Sequence, residues 1–106
     1  MDDDEQEIRA LIQRWAEAVH RGDLATVLDA HAEDIVMFDV PPPHGGVRGL
    51  DAYRATWPPF FDWQASGGQF ELTELEVVAG GGVAYAWALL RCSTREHLAQ
   101  HPEHRL

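Results

Sequence analysis

One acid interrupts an otherwise apolar stretch: Asp34-Ile35-Val36-Met37-Phe38-Asp39-Val40. Its pattern predicts a strand. Side chains alternate across a strand, so Ile35, Met37 and Asp39 share one face while Val36, Phe38 and Val40 share the other. Either face sets Asp39 among hydrophobic neighbours, where the charged form is disfavoured and the carboxyl pKa rises. A carboxyl tuned in this way takes and returns a proton as a general base, or donates a hydrogen bond. A plainer role stands beside this one. At the end of the strand, Asp39 would accept backbone hydrogen bonds from the Pro-rich turn that follows.

The other groups capable of chemistry are fewer. His44 sits close to Asp39 in a Pro/Gly loop. It is a proton relay near neutral pH or a solvated loop imidazole. His97, His101 and His104 are spaced 4 and 3 apart, which on a continuous helix would present three imidazoles to a zinc ion. Pro102 argues against that helix, and no carboxylate or Cys completes a familiar ligand set, so no metal is assigned. Trp57, Phe60, Phe61 and Trp63 form an aromatic cluster that either walls a pocket for a flat apolar ligand or is the core of a small domain. Ser93 and Thr94 have no base placed by motif, and Gly80-Gly81-Gly82 joins two strands rather than opening a helix. Nucleophilic catalysis and phosphate cradling are therefore unsupported.

The elements that must position these residues follow from periodicity. Ile8, Leu11, Ile12, Trp15, Ala16 and Val19 make one apolar helical stripe, with Asp4 and Glu7 as a capping box and Gly22 as the stop. Asp23 caps a short second helix with Leu24, Val27, Leu28 and His31 on its apolar face. After the Asp34–Val40 strand, Pro41, Pro42 and Pro43 end pairing. A third helix starts near Leu50, and Pro58-Pro59 kinks or ends it. Two long strands, Gln69 to Ala79 and Val83 to Cys92, are joined by the glycine run as a hairpin. The second strand has large Val83, Tyr85, Trp87 and Leu89 on one face and small Ala84, Ala86 and Ala88 on the other, which lets a helix or a ligand approach. The tail enters another strand near His104-Arg105-Leu106. Helices followed by antiparallel strands give an α+β layout.

Length and composition bound the partners. The 106 residues make a single domain, 1–106, with 45% hydrophobic and 9% aromatic residues, a folded rather than disordered composition. Net charge is −10, but five acids (Asp2, Asp3, Asp4, Glu5 and Glu7) lie in the first seven residues, leaving about −5 elsewhere. Lys is absent and the eight Arg are scattered, so nucleic acid is not an expected partner. No apolar run reaches membrane-span length, and the acidic N-terminus is the reverse of a signal peptide, so a cytoplasmic protein off the membrane is expected. The single Cys92 excludes an internal disulfide and reads as a small core residue.

An ordered set of residues resembles the SnoaL-like and ketosteroid-isomerase-like branch of the nuclear transport factor 2-like superfamily. The set runs Trp15-Ala16-Glu17-Ala18 with Gly22-Asp23, then Ala32-Glu33-Asp34 into Phe38-Asp39, then Gly49, Tyr53 and Trp57. Leu72-Thr73-Glu74-Leu75 and Val83-Ala84-Tyr85-Ala86 complete it. The resemblance covers about residues 5–95. It implies a cone-shaped α+β barrel, three N-terminal helices packed on a strongly curved antiparallel sheet around a hydrophobic pocket. Chains of this kind pair through the outer face of the sheet, so a homodimer is implied. The family's sheet continues with two more strands, so the domain is expected to be C-terminally incomplete.

The resemblance also assigns roles. Asp39 falls at the position of the isomerases' proton-shuttling aspartate. Trp15 falls at the tyrosine that donates to the substrate oxyanion, and His31 and Trp57 fall at its two supporting tyrosines. These replacements keep an N–H donor but offer no phenolic O–H. The implied activity is cofactor-free proton transfer of isomerase, cyclase or dehydratase type on a small apolar carbonyl compound. Asp39, Trp15 and His31 would be catalytic, and Met37, His44, Tyr53, Trp57 and Trp63 would line the substrate site. A non-catalytic ligand-binding or dimerisation module is the alternative, since fold does not dictate chemistry.

Overall fold

A computed structural model describes residues 3–39 and 43–106. Its elements, in chain order, are α1 (Asp3–Arg21), α2 (Leu24–Leu28), β1 (Val36–Met37), β2 (Val47–Arg48), α3 (Leu50–Ala55), α4 (Trp57–Ala65), β3 (Gly68–Gly80), β4 (Val83–Thr94) and α5 (Arg95–Gln100). The arrangement is α+β, with helices preceding and covering an antiparallel sheet that is not closed.

α1 forms as its stripe predicts. Ala18 and Val19 are fully buried, and Trp15 and Ala16 pack against the same core. Asp4 and Glu7 lie within the helix rather than capping it, and Asp3, Asp4 and Glu5 place negative charge on its first turn. Gly22, at φ +71°, turns the chain out, and its N–H bonds the Val19 carbonyl at 3.1 Å. Asp23 then caps α2, its carboxylate accepting from the Thr26 N–H and hydroxyl at 3.3 and 2.7 Å. These two bonds hold the Asp23 carboxyl below its ordinary range, with the nearby Arg21 charge assisting.

Pro58 and Pro59 do not end the third helix. The chain breaks one step earlier, at Thr56, and both prolines sit in the first turn of α4. There the missing amide donors have no intrahelical acceptor to lose. Gln64 ties α4 back to the end of α1, donating to the Val19 and His20 carbonyls at 2.9 and 3.1 Å.

β3 and β4 form the long hairpin, and Gly81 and Gly82 turn it with φ of +60° and +79°. Two consecutive positive φ angles match the right-handed strand twist, and glycine adopts them without strain. A bulge falls between Leu72 and Glu74. Beyond it Leu75 and Val77 return to the buried face, opposite Ala88 and Ala86. α1 lies over β3, where Arg9 donates to the Leu75 carbonyl at 2.8 Å. The alanine row of β4 leaves room as expected, yet Ala84 and Ala86 stay exposed because the helix sits on the neighbouring strand. The opposite face carries Val83, Tyr85, Trp87 and Val78 in the open.

The tail is more ordered than its polarity suggests. Thr94 caps α5 by accepting from the His97 N–H at 3.1 Å. The Arg91 guanidinium then donates to the Leu98 and Pro102 carbonyls, both at 2.7 Å. Leu106 pairs with Leu90 through two 2.9 Å backbone bonds, one in each direction, so the tail does return to the edge of β4. The three histidines come together: the His97 and His101 rings stack at 4.3 Å, and His104 meets His97 edge-on at 5.1 Å. Ring contact is not a ligand set, and among the described residues no group of three or more His, Cys, Asp or Glu can hold a metal ion. No described helix is long and apolar enough to cross a membrane.

Candidate functional site

The predicted strand around Asp39 is shorter than its pattern. β1 holds only Val36 and Met37, paired with Arg48 and Val47 of β2. Two further bonds extend the strap, Gly49 N–H to the Ile35 carbonyl at 2.7 Å and Leu50 N–H to the Glu33 carbonyl at 2.8 Å. The alternation is kept: Ile35 and Met37 pack on the core, while Val36 and Phe38 are exposed. Asp39 follows beyond the strand end, and the burial expected for it is not met, because it is exposed. The reason is local. Among the described residues the β1–β2 ladder has two strands, with no third to cover its last positions. Val40, Pro41 and Pro42, the predicted end of the strand, lie outside the described residues.

Asp39 nevertheless stands at the mouth of an apolar cleft of about 430 Å³. α1 contributes Trp15 to its walls, and α3 and the start of α4 contribute Tyr53, Trp57 and Phe60. Phe70 comes from β3, Leu90 and Cys92 from β4, and Leu106 from the tail, while residues 35–39 close one side. The aromatic rings meet edge to face, with Trp15 5.6 Å from Phe70 and 6.0 Å from Trp57, and Tyr53 5.8 Å from Trp57. Grooves of similar size exist elsewhere, among them one of about 510 Å³ between α1 and β3. Gln13, Glu17, His20, Arg21 and Glu71 give that groove a polar lining. The cleft is distinguished by its apolar walls.

Its polar groups are few and mostly donors. The indole N–H groups of Trp15 and Trp57 are buried without a hydrogen-bond partner. Both lie close enough to the Tyr53 phenol to favour its ionised form, though neither meets it in hydrogen-bond geometry. Burial outweighs them and pushes the Tyr53 pKa up. The Tyr53 hydroxyl is 3.3 Å from His31 Nε2, and the two rings stack at 5.0 Å. The other His31 nitrogen, Nδ1, is 2.9 Å from the Asp29 carbonyl. Cys92 is half-buried and its thiol pKa is raised, first by burial and then by the negative charge of Asp39.

Asp39, Trp15, Met37, Tyr53 and Trp57 are thus brought to one cleft. His31 stands behind Tyr53 rather than in the lining. His44 is exposed in the turn before β2. Trp63 packs against Phe60 at 5.3 Å and against the backbone of Gly68 instead. Of the aromatic cluster, Trp57 and Phe60 serve as core and cleft wall at once. Sequence reasoning put Tyr53 in the lining but gave it no hydrogen-bonding role. The resemblance left the three donor positions without a phenol, yet Tyr53 sets its hydroxyl beside His31 and both indoles. A signal was present, since position 53 stands four residues before Trp57, one helical turn away. Leu90 and Cys92 join the cleft only through the return of the hairpin, beside Phe70 of β3.

Similarity to known proteins agrees with this geometry. The SnoaL-like domain family matches over residues 8–105. A solved structure of an NTF2-like protein of unknown function from Pseudomonas putida KT2440 superposes with a TM-score of 0.77 at 38% identity. The alignment covers 87% of this chain, which spans 64% of the length of that protein. No curated protein matches. With its helical hairpin laid over an antiparallel sheet and an apolar cleft between them, the chain belongs to the SnoaL-like family of the NTF2-like superfamily.

Proposed function

We propose that the cleft binds a small apolar carbonyl compound and catalyses proton transfer beside the carbonyl without a cofactor. In this reading the Asp39 carboxylate takes the proton from the adjacent carbon. The C–H pair moves into the C–C bond as the carbonyl π pair moves to oxygen. The enolate oxygen meets the N–H donors of Trp15 and Trp57. Return of the proton from Asp39 to a different carbon completes an isomerisation; in a dehydration the carbonyl re-forms, the C–C double bond shifts to expel a β-hydroxyl, and that hydroxyl takes the proton from Asp39 and leaves as water. Met37, Tyr53 and Trp57 shape the space, and His31 acts through Tyr53.

The observation that carries the reading is that Trp15 and Trp57, whose buried indole N–H groups have no partner, line an apolar cleft together with the Asp39 carboxylate. A buried donor left unbonded costs about 1–3 kcal/mol. An acceptor oxygen arriving with a ligand relieves that cost.

Deuterium uptake by 2-tetralone, followed by NMR, tests the proposal. The protein is expected to accelerate exchange of the hydrogens beside the carbonyl. Asp39→Asn is expected to lower the protein-catalysed rate about 10²–10⁴-fold, the usual contribution of a positioned base. Exchange unaffected by that substitution removes Asp39 from the chemistry.

The second reading, a non-catalytic binding or dimerisation module, has its own support. The outer sheet face carries Val83, Tyr85 and Trp87 at 74%, 64% and 48% exposure. A contiguous apolar face of this kind suits self-association.

A further inference from the structure

The hydrogens around Tyr53 can be placed by elimination. The Asp29 carbonyl only accepts, so His31 Nδ1 carries the hydrogen that bonds it at 2.9 Å. A neutral imidazole then has a bare Nε2, which accepts the Tyr53 O–H at 3.3 Å. The two indoles also act on the phenol, and indole N–H only donates. With His31 neutral, the phenol hydrogen is therefore committed to the imidazole and turned away from any ligand. Protonation of His31 reverses the bond. Nε2 then donates to the Tyr53 oxygen, and the phenol hydrogen is released from the imidazole.

We infer that the Tyr53–His31 pair is the specificity-determining element of the cleft: with His31 protonated, Tyr53 O–H becomes a third donor beside Trp15 and Trp57, and compounds with a bare acceptor oxygen bind best. His31 is a positioning residue here, acting through the phenol. The inference rests on the cleft being a ligand site, as proposed above.

The charged and titratable groups named around His31 lie on three elements. The Asp29 carboxylate, at the C-cap of α2, accepts from the Ala30 N–H at 3.1 Å and lies 3.8 Å from Arg14 of α1. Tyr53 of α3, its pKa raised by burial, remains a phenol across the neutral range. Asp39 and Cys92 also line the cleft, and the raised thiol pKa keeps Cys92 uncharged there.

The test uses the whole chain and two probes, 6-propionyl-2-dimethylaminonaphthalene and 2-propylnaphthalene. The first is flat, accepts through its carbonyl and lacks a donor, and its emission moves to the red when that carbonyl is hydrogen-bonded; the second lacks the oxygen. From pH 8 to pH 5.5 the ketone is expected to bind about three- to tenfold more tightly, the effect of one added hydrogen bond, with red-shifted emission. The hydrocarbon keeps one affinity throughout. Both His31→Gln and Tyr53→Phe flatten the ketone profile; should Tyr53→Phe fail to fold, His31→Gln alone decides. A flat profile for the parent chain, or a pH response that survives His31→Gln or vanishes in Asp39→Asn, overturns the inference while leaving the cleft reading in place. Failure of both probes to bind at any pH removes the cleft reading and the inference with it.

Discussion

Gly68→Ala should destabilise the protein, although a simple count of backbone freedom says the reverse. Gly68 opens β3 and its φ is not left-handed, so alanine fits the backbone. Such a change ordinarily adds about 0.4–1 kcal/mol of stability by restricting the unfolded chain. Sterics oppose it. A Cβ at position 68 would lie 2.4 Å from Trp63 Cε3 and 2.5 Å from Cδ2 and Cζ3. Ordinary contact begins at 3.4 Å, so the indole must retreat by 3.4 − 2.4 = 1.0 Å. Its movement is restrained by Phe60, 5.3 Å away and itself packed on Trp57 at 5.3 Å and Phe70 at 6.0 Å. Overpacking of this kind costs about 1–3 kcal/mol, which exceeds the entropic gain. The expected net loss is about 1–2 kcal/mol, with a fall in Tm of about 4–8 °C per kcal/mol for a domain of this size. Urea unfolding followed by circular dichroism measures the loss, and a double-mutant cycle with Trp63→Val locates it. Removing the indole should rescue Gly68→Ala, giving a coupling of at least about 1 kcal/mol. A Gly68→Ala protein as stable as its parent, or strict additivity in the cycle, would refute the argument.

Two further outcomes follow from the sheet. Burial and the charge of Asp39 raise the Cys92 thiol pKa. Iodoacetamide should therefore label Cys92 more slowly at pH 8 than it labels a free thiol, and Asp39→Asn should speed the reaction; equal rates in the two proteins would separate Cys92 from Asp39. The sign for stability follows from the same shift. The folded thiol holds its proton above the unfolded pKa of about 8.5, so this contribution is intact below that pH and is lost as pH rises through the folded value. On the outer face, sedimentation equilibrium is expected to show dimers that Tyr85→Glu and Trp87→Glu convert to monomers. A parent chain that is monomeric at all concentrations would remove the self-association reading.

Much of the helical part could be read directly from the chain. The stripe from Ile8 to Val19, the Gly22 stop and the Asp23 cap are local signals, decided by hydrogen bonds within a few residues. The glycine run was equally legible, since two positive φ angles in succession call for glycine. The pattern at 34–40 misled in one respect. Alternation put Ile35 and Met37 together on one face, which packs on the core, but it says nothing about how many partners a strand finds. Pairing is a long-range event, and it ended after Met37, leaving Asp39 at a rim instead of inside an apolar layer.

The site belongs still more to the tertiary structure. Residue types alone indicated an acid, several aromatic rings and scattered imidazoles. Trp63 and Trp57 are indistinguishable by composition, yet helix phase sends one against Gly68 and the other into the cleft. The bond between His31 and Tyr53 spans 22 positions, and no periodicity predicts it. Sequence sets which hydrogens each side chain can give, whereas only packing decides which of them meet an acceptor. Here packing leaves two indole donors unanswered and gives the phenol a single imidazole nitrogen.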